Sequence, residues 1–262
     1  MNPELSYASQ PAAAPEPAPQ NFFSRLIGVW FSPGETFAEI GRAPRVLVPM
    51  IVLMLLGSLG GYLMIERIGI DTFFKGQFAQ AVASGQMSQE DADKQLEAMT
   101  SGPAATITKL SFPLIGFIQF PIMALILVGV AKLITMLIGG DNLFKPLFSV
   151  TLYTLLATGI VSSILMITIL YLKPPDEIDV NNLIGSNLAA ILGLLFEKDA
   201  LPKFVTAFAR WIDLFSIWML ALLGIGYAAV TKGKKTGSFL MPLGALYLVL
   251  ALIGAAWAAF RG

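Results

Sequence analysis

Neither cysteine nor histidine occurs anywhere in the chain. Their absence excludes disulfides, thiolate chemistry and every metal or acid–base site built on imidazole. Any chemistry would have to run on carboxylates, lysine, serine, threonine or tyrosine. The expectation is therefore a protein that is not an enzyme, with no catalytic residues, no cofactor and no metal. Charge is scarce as well. Only 13% of the 262 residues are charged, and 17 basic residues balance 17 acidic ones, so no nucleic acid partner is expected. Apolar material stands in their place: 56% of the residues are hydrophobic and the mean hydropathy is +0.73. Blocks this long and apolar suit neither a soluble domain nor a disordered one. They make the lipid bilayer the first partner of a polytopic membrane protein.

Within those blocks the stretch from Ala207 to Lys235 stands apart. It holds no charge from Leu214 to Val230, yet it has a carboxylate, Asp213, near its start and a lysine cluster at its far end. Read as one helix, it places Thr206, Arg210, Asp213, Ser216, Leu220, Gly224 and Tyr227 on one face, with Trp211, Phe215, Trp218 and Leu222 opposite. Two readings of Asp213 stay open. One is an intramembrane carboxylate with a function, the other a structural carboxylate paired with Arg210 at the headgroup level. Ser216 shares that face, and Gln119, Lys132 and Asn187 complete the set of candidate polar residues. Lys132 lies near enough to a helix end to snorkel to the headgroups.

Residues 1–21, rich in proline and alanine, predict a disordered tail, and residues 22–262 a membrane domain. Phe22, Phe23, Leu26, Ile27 and Trp30 form an apolar stripe with Ser24, Arg25 and Gly28 on the other side. That is the pattern of an amphipathic surface helix too short to span. Ser32-Pro33-Gly34-Glu35 predicts an N-cap, a first-turn proline and a capping-box glutamate, opening a second short helix through Ile40. Five spans follow, over residues 46–65, 110–138, 147–172, 208–230 and 239–260. In the first, Gly57 and Gly61 are spaced as GxxxG, which permits close helix packing, and in the second Pro113 and Pro121 predict kinks. The polar stretch 66–109 predicts an extramembrane excursion of two short helices, with Ser88 and Asp91 as a cap. The apolar run 183–196 is too short to cross and predicts a re-entrant or interfacial segment. The expected fold is all-α: a polytopic membrane bundle of five transmembrane helices with an N-terminal amphipathic surface helix.

Five crossings put the two termini on opposite sides. With the N-terminus inside, the inner segments hold eight basic residues against five acidic, and the outer segments nine against eleven. Short loops obey the positive-inside bias best, and the turn with Lys232, Lys234 and Lys235 is short. A cytoplasmic N-terminus, an outside C-terminus and a place in the cell membrane are the result.

Several motifs, taken in their order along the chain, resemble a known family. Phe31-Ser32-Pro33 with Thr36-Phe37 and Ile40 precedes the first span. Gly139-Gly140 with Phe144 and Phe148 surrounds the start of the third, and Asp213-x-Phe215-x-x-Trp218 leads to Gly224 and Gly226. Over roughly residues 22–260 the chain resembles the bacterial branch of the Yip family, the Ypt-interacting proteins. The resemblance implies a five-helix membrane domain with a cytoplasmic N-terminus. Eukaryotic members of that family look like trafficking factors that contact small GTPases and shape membranes, and the polar excursion 66–109 departs from their compact pattern.

Two functions compete at this stage. The first is a non-enzymatic scaffold or membrane-organisation factor, with a protein partner or a homo-oligomer beside the bilayer. The second is a small-solute or ion transporter using Asp213, suggested also by Gln119, the kinked second span and the short apolar segment. The five spans do not divide into two matching halves, which favours the scaffold.

Overall fold

The structure, a computed structural model, describes residues 20–83, 85–141, 143–180, 182–197 and 200–261, the side chains of Gln80, Asp176 and Arg261 excepted. The tail predicted over residues 1–21 lies outside them but for its last two positions. Among the described residues every regular element is helical.

Helix α1 (Phe22–Phe31) is started by Asn21, whose side chain accepts the Ser24 N–H at 2.9 Å. Helix α2 (Pro33–Arg42) opens on its proline, which needs no amide partner in a first turn. The capping box predicted at Ser32 does not form. Ser32 ends α1, its N–H donating to the Gly28 carbonyl at 2.7 Å, and its side chain makes no cap bond to α2. The two helices fold back on one another as a hairpin. Gly28 sits so close to Thr36 that a Cβ there would overlap the Thr36 hydroxyl.

This hairpin reverses the expected orientation of α1. Arg25, predicted on the water-facing side, is fully buried, while Phe23, Ile27 and Phe31 are exposed along one stripe. The physical reason is that α1 is covered by α2 and by a membrane helix on its Arg25–Leu26–Val29 side. Its Phe23–Ile27–Phe31 edge is left uncovered by the rest of the bundle.

Four helices are long and apolar enough to cross a membrane: α3 (Leu47–Ile68) and, further on, α6 (Gly102–Leu137), α7 (Phe144–Leu172) and α11 (Gly237–Arg261). Between α3 and α6 stand α4 (Ile70–Ala83) and α5 (Gln89–Thr100). The latter is capped by Ser88, which accepts the Asp91 N–H at 3.1 Å. Helix α6 takes over the end of the polar stretch, since it begins at Gly102. Helices α8 (Leu188–Leu195), α9 (Lys203–Trp211) and α10 (Leu214–Val230) lie between α7 and α11.

The span predicted over 208–230 is not one helix. Ile212 sits in a tight turn and Asp213 is extended, and the backbone there bonds sideways to the loop before α8: Leu188 N–H to the Ile212 carbonyl at 2.8 Å, Leu214 N–H to the Ser186 carbonyl at 3.1 Å. Thr206 and Arg210 therefore belong to a different helix from Ser216 and Tyr227, and the single polar face drawn through them does not exist. Helix α10 keeps 17 residues, about 25 Å at 1.5 Å per residue.

The core sits around the first half of α7. Every residue from Leu147 to Thr158 is buried, enclosed by α1, α2, α3, α6 and α10. Small residues bring the helices this close. A Cβ at Gly57 or Gly61 of α3 would overlap the carbonyl of Gly116 or Phe112 of α6, so the two backbones touch at the GxxxG spacing. Gly226 of α10 is likewise closed by Val150 and Phe37, and Gly41 of α2 by Val230.

The two ends of the bundle differ. At one end gather the α1–α2 hairpin, the Gly139-Gly140 turn and the lysine turn, where Lys234 Nζ donates to the Ile138 carbonyl that ends α6. At the other, Arg67 donates to the carbonyls of Leu170 and Lys173 at 3.2 and 3.3 Å. Each cation satisfies carbonyls that a helix C-terminus leaves without partners.

Candidate functional site

Of the six polar candidates in the sequence, Asp213, Ser216 and Asn187 come together. Asp213 is the N-cap of α10: one carboxylate oxygen accepts the Ser216 N–H at 2.9 Å and the other accepts the Ser186 hydroxyl. Asn187, paired with Asp213 across the short antiparallel bridge, caps α8 by accepting the Ala190 N–H at 3.0 Å, and its amide donates to Asn182 at 2.7 Å. The carboxylate is thus occupied by donors from its own end of the bundle. It holds the start of a helix, where negative charge is stabilised by the free N–H groups.

The other three stand apart. Arg210 is exposed on α9 and forms no ion pair with Asp213, because the break at Ile212 removes the three-residue helical step that would have joined them. Lys132 lies over the Phe144 ring, 5.7 Å from its centroid, near the lysine end. Gln119 lines a cavity between α3, α6 and α7.

A polar site that the sequence did not mark lies under the α1–α2 hairpin. Arg25 Nη2 meets Glu39 Oε1 at 2.8 Å, with the arginine side chain wholly buried and the glutamate nearly so. Arg25 Nε and Nη1 and Glu39 Oε2 are buried without hydrogen-bond partners. The Gln20 N–H adds a bond to the same Glu39 oxygen at 3.1 Å, and Trp30 ties the hairpin to α7 by donating to the Ala157 carbonyl at 3.0 Å. One signal in the sequence points to this pair. Arg25 and Glu39 stand seven residues either side of Ser32, and Gly28 and Thr36 four, the mirrored spacing of a helical hairpin that turns at Ser32.

Residues 27–257 match the Yip1 domain, nearly the whole chain from α1 to α11. The chain belongs to the Yip1 family. It is an integral, multi-pass membrane protein. No curated protein and no solved structure matches it. Among the described residues, the Yip1 domain gathers no group of three or more carboxylate side chains able to hold a metal ion. Its polar groups instead join helices: Tyr227 and Thr151 share a buried hydrogen bond of 2.8 Å between α10 and α7, and Ser149 donates to the Arg45 carbonyl at 2.9 Å. Chemically, the arrangement binds elements to one another and leaves an apolar perimeter.

Proposed function

We propose that the chain is a non-enzymatic scaffold of the cell membrane, in the bacterial branch of its family, which organises a protein partner or further copies of itself. The observation that carries this reading is the filling of the bundle at the lysine end. There α7 is buried from Leu147 to Thr158 and the α1–α2 hairpin closes the space beside it. A transporter needs a polar route past that point, and the candidate carboxylate Asp213 is spent on a helix cap at the opposite end.

In this proposal the chain crosses the bilayer five times. Helix α10 runs from Asp213 to the lysine turn, and its 17 residues fall at the lower limit for a span. The N-terminus is then cytoplasmic and the C-terminus outside, with the hairpin in the cytoplasmic half.

Reconstitution tests the choice of function. Proteoliposomes are expected to show no solute or ion flux above protein-free vesicles, and in-membrane crosslinking to recover a defined partner or a dimer. Asp213→Asn keeps a good N-cap and is expected to retain the native melting temperature, whereas Asp213→Ala loses about 1 kcal/mol. A flux that Asp213→Asn abolishes would reinstate the transporter and remove the scaffold.

A further inference from the structure

In the half of the bundle away from the lysine turn, α3, α6 and α7 separate around a cavity of about 580 Å³. That is within the range of small-ligand sites, about 300–1,000 Å³. Leu56, Met64, Phe112, Phe120 and Met166 form its walls, and Phe73 and Phe74 of α4 roof it. Part of the space exists because Gly60 has no side chain: a Cβ there would stand 3.3 Å from Met166 Cε. No charged side chain lines it.

Four polar side chains do. Ser111 and Ser162 donate back to the carbonyls of Thr108 and Gly159, at 2.7 and 3.1 Å, so their protons are taken. Gln119 and Ser163 make no hydrogen bond within the described protein. On their helices the nearest charged residue is Lys109, ten residues from Gln119, and Lys173, ten residues from Ser163. Ten residues of helix rise about 15 Å, so both groups lie deep in the apolar zone. Gln119 is exposed at the mouth of this space and Ser163 is half-buried. An amide at that depth without a protein partner is costly, and a polar group carried in by an occupant would complete it.

We propose that this cavity binds an uncharged lipid of the diacylglycerol class, one acyl chain against the apolar walls and an ester or hydroxyl group against Gln119 and Ser163. The surrounding solvent at this depth is acyl chain, which supplies the tail. The neutral lining and the depth exclude a phosphate headgroup, which stays at the interface. A head that is polar but uncharged can sink to Gln119 and complete its hydrogen bonds.

The test uses the full chain in proteoliposomes with diacylglycerol or phosphatidylcholine bearing a photoreactive group on the acyl chain, read by peptide mass spectrometry. Diacylglycerol is expected to label the segments holding Phe112 and Met166 saturably, with unlabelled diacylglycerol competing. Gly60→Leu and Met166→Trp, two independent ways of filling the space, are expected to abolish that labelling, and Gln119→Leu to weaken it several-fold. Melting temperatures within a few degrees of native show that each variant is folded. Labelling by both lipids alike, without competition and unchanged by either filling substitution, would reduce the cavity to ordinary lipid contact and overturn the proposal. Saturable labelling by phosphatidylcholine alone would overturn the uncharged head. Neither result depends on whether the protein transports anything.

Discussion

Arg25 and Glu39 are two charges under the hairpin, the arginine wholly buried and the glutamate nearly so, joined to each other by a single contact. A pair of this kind is fragile to single substitution and tolerant of double. Removing one member leaves the other buried and uncompensated, at a loss of about 3 kcal/mol or more, whereas replacing both by apolar residues of similar size is close to neutral. Arg25→Met and Glu39→Leu are each expected to lower the stability of the detergent-solubilised protein by about 3 kcal/mol, and the double variant to return within about 1 kcal/mol of native. Additive losses in that cycle would show that the pair is not coupled. Periodicity showed which residues share a side of α1, but not which side is covered. The pattern sets Arg25 with Ser24 and Gly28 toward water, although Gly28 is small because α2 lies on it. Asp213 shows the same limit from the other direction: flanked by apolar residues it reads either as an intramembrane or as a headgroup-level carboxylate, and its side chain caps α10.

At the scale of elements, a run of some twenty apolar residues is a local property, and hydropathy marks where long apolar helices lie. Helices α3, α7 and α11 lie close to where their apolar runs place them. The break between α9 and α10 was hidden by the same signal, since Trp211, Ile212, Leu214 and Phe215 sustain the apolar run across it. Only the residue type of Asp213, a strong N-cap, marks the start of α10. The GxxxG spacing in α3 shows what spacing alone leaves open, for it names Gly57 and Gly61 but not the helix that meets them. Contact with α6 makes a specific prediction. Gly57→Val forces a side chain onto the Gly116 carbonyl, with no flexible neighbour to yield, and is expected to lower stability by about 2–3 kcal/mol. Gly34→Ala, at an exposed helical position with open space around it, is expected to raise stability by about 0.5 kcal/mol. Chemical denaturation followed by circular dichroism distinguishes the two signs.

For the whole molecule, the two halves of α7 are similarly apolar, yet Leu147–Thr158 is enclosed and Gly159–Ile169 borders a cavity and the perimeter. Composition cannot register that difference, because it arises from the hairpin, which sits at one end, and from α10, whose buried residues from Leu222 to Ala228 lie in its half toward the lysine turn. Charge distribution is legible, and it bears on orientation. Arg42, Arg45 and the three lysines of the turn gather at the end where the hairpin sits, while α5 carries Glu90, Asp91, Asp93 and Glu97 at the other. A chain without cysteine makes this difference measurable at single sites. Asp141→Cys stands beside the Gly139-Gly140 turn, and Gln95→Cys and Lys203→Cys on α5 and α9, all three at exposed positions. In right-side-out vesicles a membrane-impermeant maleimide is expected to label Gln95→Cys and Lys203→Cys at once and Asp141→Cys only after the vesicles are opened. The reverse pattern would invert the protein in the membrane. Immediate labelling of both Gln95→Cys and Asp141→Cys would mean that α6 does not cross. Labelling of Gln95→Cys without Lys203→Cys would place α5 and α9 on different sides and remove the five-span arrangement.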